Sequence, residues 1–190
     1  ALIYVAHIAQ QIRGAAKLGL LPANAGIDMA KVSRHIQEVI RRVAENEQVY
    51  VDGVTVRFGV VSFASAHELV LNEERITSRN ILIATGSRPL VPRIEGLEEA
   101  GYLTNEDVFN LQCLPASLIV VGGGPIGVEL GQAFARLGVK VTMIEGLERI
   151  LPREDPEVSA ALTGVLQSEQ MTIVTNAIFV KAHRNGQKKV

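Results

Sequence analysis

The sequence predicts an α/β protein with a doubly wound parallel sheet and a small antiparallel meander. In the last third of the chain, short apolar runs alternate with stretches of helical period, which is typical of parallel strands joined by helices. Between about residues 54 and 71, apolar and polar residues alternate as they do in antiparallel strands. The 190 residues are 47% hydrophobic and 21% charged, a composition that favours a globular protein.

Two amphipathic helices are predicted at the start of the chain. The first runs from Leu2 to about Lys17, where apolar residues recur three and four positions apart, and Gly19 and Pro22 end it. Asp28 is the predicted N-cap of the second helix. The apolar stripe of that second helix consists of Met29, Val32, Ile36, Val39, Ile40 and Val43. We interpret both as scaffold helices with solvated charged faces.

The next stretch predicts the meander. Residues 54–58 and 67–71 alternate in polarity, and a polar turn follows at 72–74. Residues 80–84 form a continuous apolar run, which predicts a strand buried on both faces of a parallel sheet. Prolines and a glycine within residues 88–103 predict a linker.

The last third begins with a short helix and continues as alternating strands and helices. Thr104 and Asp107 resemble a capping box, so a short helix is predicted before Pro115. Asp155 and Pro156 predict the N-cap and first residue of a later helix. The predicted elements are a buried strand at 117–121, further strands at 139–144 and 171–174, and helices at 126–137 and 156–167.

The two ends of the chain predict a piece of a longer protein. Asn185-Gly186 predicts a hairpin turn whose second strand finds no further partner, and the N-terminus opens directly on a helical pattern. We therefore expect a fold that is incomplete at both ends. Such half-sheets expose apolar edges, which predicts partnering, domain swapping or poor solubility.

Composition excludes several classes of function. The net charge is −1, from 19 basic and 20 acidic residues, and aromatic residues make up 4%, so a nucleic-acid face is not expected. Apolar runs are far shorter than a membrane span. Cys113 is the single cysteine, which excludes a disulfide scaffold, and no pair of the four histidines has metal-ligand spacing. We expect a cytoplasmic protein without a metal site, and an inert, half-buried Cys113.

Gly122-x-Gly124-x-x-Gly127 matches the dinucleotide-binding fingerprint of Rossmann-like folds. A strand precedes it, a helix follows, and a second strand ends in an acid. Gly122 permits the tight turn, Gly124 lets the backbone approach a pyrophosphate, and Gly127 lets helix and strand pack closely. The helix N-terminus offers N–H groups to phosphates. The alternative is a glycine turn that serves only the packing of the sheet.

Glu145 follows Gly127 by 18 residues, near the spacing at which a carboxylate accepts both ribose hydroxyls. A 2′-phosphate beside it would be repelled by about 1–4 kcal/mol at about 4 Å. No arginine stands at this strand end, so the sequence predicts NAD rather than NADP. The alternative is an ordinary solvated turn residue.

Four motifs together resemble the pyridine nucleotide-disulfide oxidoreductases, flavoenzymes that include dihydrolipoamide dehydrogenase, mercuric reductase and glutathione reductase. The resemblance covers essentially the whole chain. The motifs are residues 81–89 (ILIATGSRP), 104–107 (TNED), 122–131 and 151–155 (LPRED).

The resemblance implies two cofactors and a place for each. Residues 1–103 would be the remainder of a FAD-binding domain plus linker, and residues 104–190 the first part of a NAD-binding domain. Thr85 and Gly86 would approach the FAD, and backbone at Val60 or Val61 would meet its adenine. The loop Gly122, Gly123, Gly124, Pro125, Ile126 and Gly127 would hold the nicotinamide dinucleotide. Glu129 would lie beside the flavin–nicotinamide contact, although an acid in a first helical turn also stabilises the helix dipole.

The resemblance also places the redox chemistry outside this chain. The family's cysteine pair, the lysine partner of Glu129 and the first FAD loop would precede Ala1. A second FAD motif, the dimer domain and its catalytic histidine would follow Val190. We therefore expect no catalytic residue here, an inactive isolated chain and a homodimeric parent enzyme.

The predicted function is that of a fragment of a flavin-dependent oxidoreductase. Its parent would pass hydride from NADH to FAD and on to a cysteine disulfide or a small-molecule electron acceptor. Two alternatives remain: a flavin NADH oxidase, peroxidase or electron-transfer reductase without the cysteine pair, and a non-catalytic nucleotide-binding fragment.

Overall fold

The computed structural model describes residues 1–20, 26–46, 53–185 and 188–189. Contacts divide the chain into two units, one formed by Ala1–Val43 with Val91–Val190 and the other by Ala44–Leu90. This division does not test the predicted boundary between the FAD-binding and NAD-binding domains at residues 103 and 104, so that boundary stays a prediction.

Both N-terminal helices form where the apolar spacing predicts them. Helix α1 spans Leu2–Gly14, and a 3₁₀ turn extends it to Leu18 before Gly19, at φ 79°, ends it in a left-handed conformation. Helix α2 spans Met29–Asn46, and Asp28 Oδ1 accepts the Lys31 N–H at 3.1 Å, which confirms the predicted N-cap. Pro22 lies outside the described residues.

The apolar stripe of α2 is covered only over its first turns. Met29 and Ile36 are buried, whereas Ile40 and Val43 are about half exposed. Ser33, which the stripe does not include, is also buried, and its hydroxyl donates to the Phe109 carbonyl at 2.8 Å. The hydrogen bond explains how a polar residue lies inside this helix contact.

The antiparallel meander exists, and one of its two predicted strands, at 67–71, is confirmed. Its strands, β1 (Val61–Ser65), β2 (Glu68–Leu71) and β3 (Glu74–Thr77), pair in chain order. The strand predicted at 54–58 is wrong, because those residues are irregular and exposed. Asn72, at φ 56°, makes the turn that starts β3, and it bonds with Val60 through both its N–H and its side-chain oxygen.

The buried strand predicted at 80–84 is also wrong. These residues form no strand, and Leu82 is 90% exposed. A parallel strand needs at least one neighbouring strand for its backbone hydrogen bonds, and no described strand pairs with these residues.

The segment predicted as a linker contains a short helix, α3 (Leu97–Ala100), and Glu95 pairs with Lys181 in an isolated parallel bridge. Thr104 and Asp107 then form the predicted capping contact, since the Thr104 N–H and hydroxyl donate to Asp107 Oδ2 at 2.8 and 2.7 Å. These bonds lower the pKa of Asp107. The helix that follows is a single 3₁₀ turn, Val108–Asn110.

The parallel sheet confirms the predicted fold class. Strand β4 (Ser117–Val121) leads through α4 (Pro125–Arg136) to β5 (Lys140–Ile144), and α5 (Pro156–Ser168) leads to β6 (Thr172–Val174). The strands are ordered β4-β5-β6 and all run parallel. Pro156 opens α5 after Asp155 as predicted, although the Asp155 side chain makes no capping bond. A hairpin of β7 (Arg184–Asn185) and β8 (Lys188–Lys189) ends the chain.

Within the described part of the chain, one face of the parallel sheet is covered and the other is open. Val141 and Met143 are buried on the side that α4 packs against, whereas Ile119, Val121 and Val174 on the other side are exposed. The two crossover connections, through α4 and through α5, both advance along the sheet in the order β4-β5-β6. Right-handed crossovers of this kind place both helices on the same face of the sheet, which explains why the other face is exposed. The expectation that 117–121 is a buried strand is therefore wrong for the face that carries Ile119 and Val121, and the expected exposed apolar surface is present. Partnering through it stays a prediction.

Helices α1 and α2 extend the same core. Leu2 and Ala6 of α1, with Met29 and Ile36 of α2, belong to the buried cluster around Phe134 of α4. Among the described residues, no helix has the length and hydropathy needed to span a membrane. Across those same ranges, no three His, Cys, Asp or Glu side chains are grouped as metal ligands.

Candidate functional site

The glycine loop between β4 and α4 is a tight turn that a side chain would strain at its first position. Gly122 has φ 101°, a conformation that other residues rarely adopt. Its N–H donates to the Ile144 carbonyl at 2.9 Å, so the turn begins where β4 and β5 are still hydrogen-bonded. The geometry agrees with the turn role predicted for Gly122.

Gly127 brings the first turn of α4 against the sheet. A Cβ atom there would lie 2.4 Å from the Gly122 carbonyl oxygen and 3.2 Å from Val120 Cγ1. No real side chain fits at those distances, because the first neighbour is backbone. Gly127 therefore permits the close packing of helix and strand that its position in the fingerprint predicts.

Gly124 lies on the open side of the loop. It is the N-cap of α4, and an added Cβ would meet nothing within 4 Å. Pro125 follows as the first helical residue, and Pro125 and Ile126 are exposed. An open N-cap at a helix start offers unpaired N–H groups and partial positive charge, which suit a phosphate.

Glu145 stands at the end of β5 and contacts the glycine loop directly. Its Oε2 accepts the Gly123 N–H at 2.7 Å, and its Oε1 accepts the Leu147 N–H at 2.8 Å. The side chain is half-buried, which distinguishes it from an ordinary solvated turn residue. Each oxygen keeps a further lone pair, so the carboxylate can still accept from hydroxyl groups of a ligand.

Glu129 lies one position further along α4 than predicted, because the helix begins at Pro125 instead of Ile126. It is the fifth residue of the helix, and the first turn contains no acid. A dipole-stabilising role is therefore disfavoured, because that effect is confined to the first turn. The side chain is exposed, as a residue that faces a ligand requires.

The turn that follows Glu145 was missed as part of the site. Ile150 is buried beneath the loop, and the Leu151 N–H donates to the Gly123 carbonyl at 2.8 Å. Arg149 also lies here; it pairs with Glu148 and donates to the Pro152 carbonyl at 3.1 Å, and its buried Nε has no partner within the described residues. An apolar Ile150-Leu151 pair after polar residues was the available signal.

The residues predicted to meet FAD belong to the other unit. Thr85 and Gly86 lie in an exposed irregular segment, with Gly86 at φ 72°, and Val61 is exposed at the start of β1. Their roles stay predictions. Cys113 is exposed, which corrects the expectation of a half-buried residue, and it is exposed because it lies in the irregular stretch before β4.

A polar network fixes the far end of α4. Glu169 accepts both Arg136 Nε and Nη2, at 2.8 and 2.6 Å, and also bonds Gln132 at 3.3 Å. Gln10 of α1 donates to the same carboxylate at 3.0 Å. The Arg136 hydrogen bonds lower the pKa of Glu169 against the opposing effect of burial. The network therefore links α1 to α4 and to the turn before β6.

Comparisons with known proteins match this chain to a family of redox enzymes. Residues 5–190 match the family described as "Pyridine nucleotide-disulphide oxidoreductase". A mercuric reductase from Bacillus cereus is 33% identical over 90% of this chain, and a dihydrolipoyl dehydrogenase from Acholeplasma laidlawii is 34% identical over 80%. A Cu(II) complex of the HOCl-induced flavoprotein disulfide reductase RclA from Escherichia coli matches 97% of this chain with a TM-score of 0.76 and 26% identity.

The chain is shorter than these proteins. It spans 28% of the mercuric reductase, 47% of the dihydrolipoyl dehydrogenase and 40% of the RclA chain.

Proposed function

Since the chain belongs to the pyridine nucleotide-disulphide oxidoreductase family, we propose that it carries the nicotinamide-dinucleotide site of a flavin-dependent oxidoreductase. Proteins of this family, such as dihydrolipoyl dehydrogenase and mercuric reductase, use FAD and NAD(P). In the proposed parent enzyme, a nicotinamide dinucleotide held by Gly122 to Gly127 would supply hydride, and a flavin would supply the redox chemistry that links it to a cysteine disulfide. Residues 1–103 form the remainder of the FAD domain in this proposal, and residues 104–190 form the first part of the NAD domain.

The arrangement of the glycine loop carries the proposal. Gly124 leaves the start of α4 open, Gly127 lets the helix approach β4, and Glu145 stands beside the loop. Phosphates bound at the α4 N-terminus would bring an adenosine ribose toward the end of β5. The residues present therefore suit a dinucleotide. In the proposal, residues Gly122 through Gly127 and Glu145 bind and orient it.

Glu145 favours NADH over NADPH. Its carboxylate is held by two backbone N–H groups, so it cannot move far from a ribose bound at this strand end. A 2′-phosphate beside it adds repulsion of about 1–4 kcal/mol. Arg149 is engaged by Glu148 and the Pro152 carbonyl, so it does not offset that charge. A lower Kd for NADPH than for NADH would contradict this preference.

Binding of NADH to the 190-residue chain tests the site. Gly124→Val places a side chain on the open side of the loop, where the protein itself leaves room. We expect NADH affinity to fall about tenfold or more, with little change in melting temperature. Gly164→Val is the matched control, because Gly164 also has nothing within 4 Å of an added Cβ but lies in α5. Equal affinities for the two variants would contradict the proposal.

The flavin part of the proposal rests on Thr85, Gly86 and Val61 and is tested separately. An absorption spectrum of the purified chain shows whether FAD is retained. We further propose that the isolated chain does not turn over dithiols or disulfides, because the cysteine pair of the family is expected outside it. Measurable turnover would contradict that statement.

The proposal also includes the cellular location and the oligomeric state of the parent enzyme. We propose that the parent enzyme is a homodimer in the cytoplasm and that its partners are NADH and a disulfide or small-molecule acceptor. Size-exclusion chromatography and cell fractionation of the complete protein test these two points.

A further inference from the structure

Gly123, the middle residue of the glycine loop, is held on three sides by the turn that follows β5. Its N–H donates to Glu145 Oε2 at 2.7 Å, and its carbonyl accepts the Leu151 N–H at 2.8 Å. A Cβ at this position would lie 2.7 Å from Ile150 Cγ2, so the backbone rests directly on that side chain. The conformation of the loop therefore depends on where Ile150 and Leu151 are placed.

Ser159 of α5 supports the turn at Ile150 and Leu151 through its hydroxyl group. It is 1% exposed, and its hydroxyl donates to the Ile150 carbonyl at 2.5 Å, with the Leu151 carbonyl at 3.3 Å. Leu151 has φ 47°, a left-handed conformation that a leucine rarely adopts without support. The buried hydroxyl supplies that support, because its proton is donated mainly to the Ile150 carbonyl and the Leu151 carbonyl lies nearby, so it contacts the carbonyl groups on both sides of the Leu151 Cα.

We infer that Ser159 and Ile150 are positioning residues for the nucleotide, acting through Gly123. Together with Leu151 they form a brace that connects the buried side of α5 to the glycine loop. This inference rests on the proposed function. A loop already held in its bound conformation loses less entropy when a ligand binds, so the brace raises affinity without touching the ligand.

The burial of Ser159 separates this role from direct binding. At 1% exposure the residue cannot contact a nucleotide, so any effect of its hydroxyl on affinity is transmitted through Ile150 and Leu151 to Gly123. Glu145 differs, because it contacts the loop itself and keeps acceptor capacity for a ligand.

Ser159→Ala tests the brace in the 190-residue chain. We expect NADH to bind about fivefold more weakly, the equivalent of one buried hydrogen bond, at a temperature where circular dichroism shows the variant folded. Ser168→Ala is the matched control: it removes a hydroxyl from the same helix that is exposed and bonds only locally, to the Val165 carbonyl. Equal NADH affinities for the two variants would overturn the inference.

A pair of substitutions tests the contact between Ile150 and Gly123 without Ser159. Gly123→Ala places a methyl group against Ile150 Cγ2, and we expect NADH affinity to fall about tenfold. Ile150→Ala removes that Cγ2 atom, so the loss caused by Gly123→Ala should be several-fold smaller in its background. Equal losses in the two backgrounds would overturn the inference, and this result decides the matter if Ser159→Ala does not fold.

Amide hydrogen exchange separates the brace from the proposed function. If the unmodified chain binds no NADH, the proposed function fails, but exchange of the Gly123 N–H still reports on the loop. Faster exchange of this amide in Ser159→Ala than in Ser168→Ala supports the brace, and unchanged exchange overturns it.

Discussion

Residues 117–121 and residues 80–84 have the same kind of sequence and different structures. Each is a short apolar run before a glycine, and each predicts a buried parallel strand. The first forms β4, pairs with β5 and contributes Leu118 and Val120 to the core. The second forms no strand, and Leu82 is 90% exposed.

The difference shows that an apolar run specifies a strand only together with its neighbours. After β4 the chain supplies a helix and a parallel strand within 23 residues, from Val121 to Ile144, so the pairing is nearly local. Residues 80–84 are followed by prolines and a glycine, and no described strand pairs with them. Backbone groups in such a segment must find other partners or remain hydrated.

The largest expected effect on stability comes from removing a core side chain that packs against the sheet containing β4. Phe134 of α4 is 1% exposed in the core beneath the sheet, so Phe134→Ala should lower the free energy of unfolding by about 3–5 kcal/mol. Leu82→Ala should change it by less than about 0.5 kcal/mol, because that side chain is already in water. Urea denaturation followed by circular dichroism measures both. A cost for Leu82→Ala as large as that for Phe134→Ala would show that residues 80–84 are packed.

A smaller effect is expected at the junction of β4 and α4. Gly127→Ala forces a methyl group against the Gly122 carbonyl, so we expect a loss of about 2–3 kcal/mol in stability together with weaker NADH binding. Gly164→Ala, in the open middle of α5, should instead stabilise by about 0.5–1 kcal/mol. Thermal melting of the two variants checks the signs. Similar melting temperatures would mean that helix and strand can separate at the loop without cost.

The smallest of the three effects depends on pH and concerns a contact that no local pattern indicates. Arg136 lowers the pKa of Glu169, so the ionised carboxylate stabilises the fold above the ordinary carboxyl pKa of 4.5, and this stabilisation is lost as pH falls through the lowered value. Glu169→Gln should cost about 1–2 kcal/mol at pH 7 and progressively less below pH 4.5. Urea denaturation across this pH range measures it, with exposed Glu154→Gln as the control. A pH-independent cost would assign the effect to packing instead of charge.

In the candidate site, too, some features depend on residues close together in the sequence and others on residues far apart. The turn, the close approach and the acid are all encoded within the segment 122–145, so Gly122, Gly127 and Glu145 could be identified from spacing. Ser159 could not, because a serine in the first turns of a helix has no feature that predicts a bond to a turn eight or nine residues earlier. The exposed face of β4 was also hidden, since the sequence of a strand does not state which of its faces a helix covers.

In the meander, the polar turn predicted at 72–74 leads into a strand that the pattern does not predict. Asn72 adopts the left-handed conformation of a hairpin turn, and β3, whose single apolar residue is Ile76, follows at once. Arg75 of β3 lies opposite Val70 of β2, so Arg75 and Glu68 are diagonal neighbours on the two strands. Their side chains form an ion pair at 2.9 Å, a polar cross-strand contact in place of an apolar one. Two polar neighbours on adjacent strands carry little hydrophobic signal.

The Gln10–Glu169 hydrogen bond gives the chain a defined order of events during synthesis. Its partners are 159 positions apart, which at about 5–20 residues per second corresponds to roughly 8–32 seconds of translation. During that interval the carboxylate that Gln10 of α1 binds has not yet been made. This contact of α1 therefore forms only after residue 169 has been added, however early the helix itself folds.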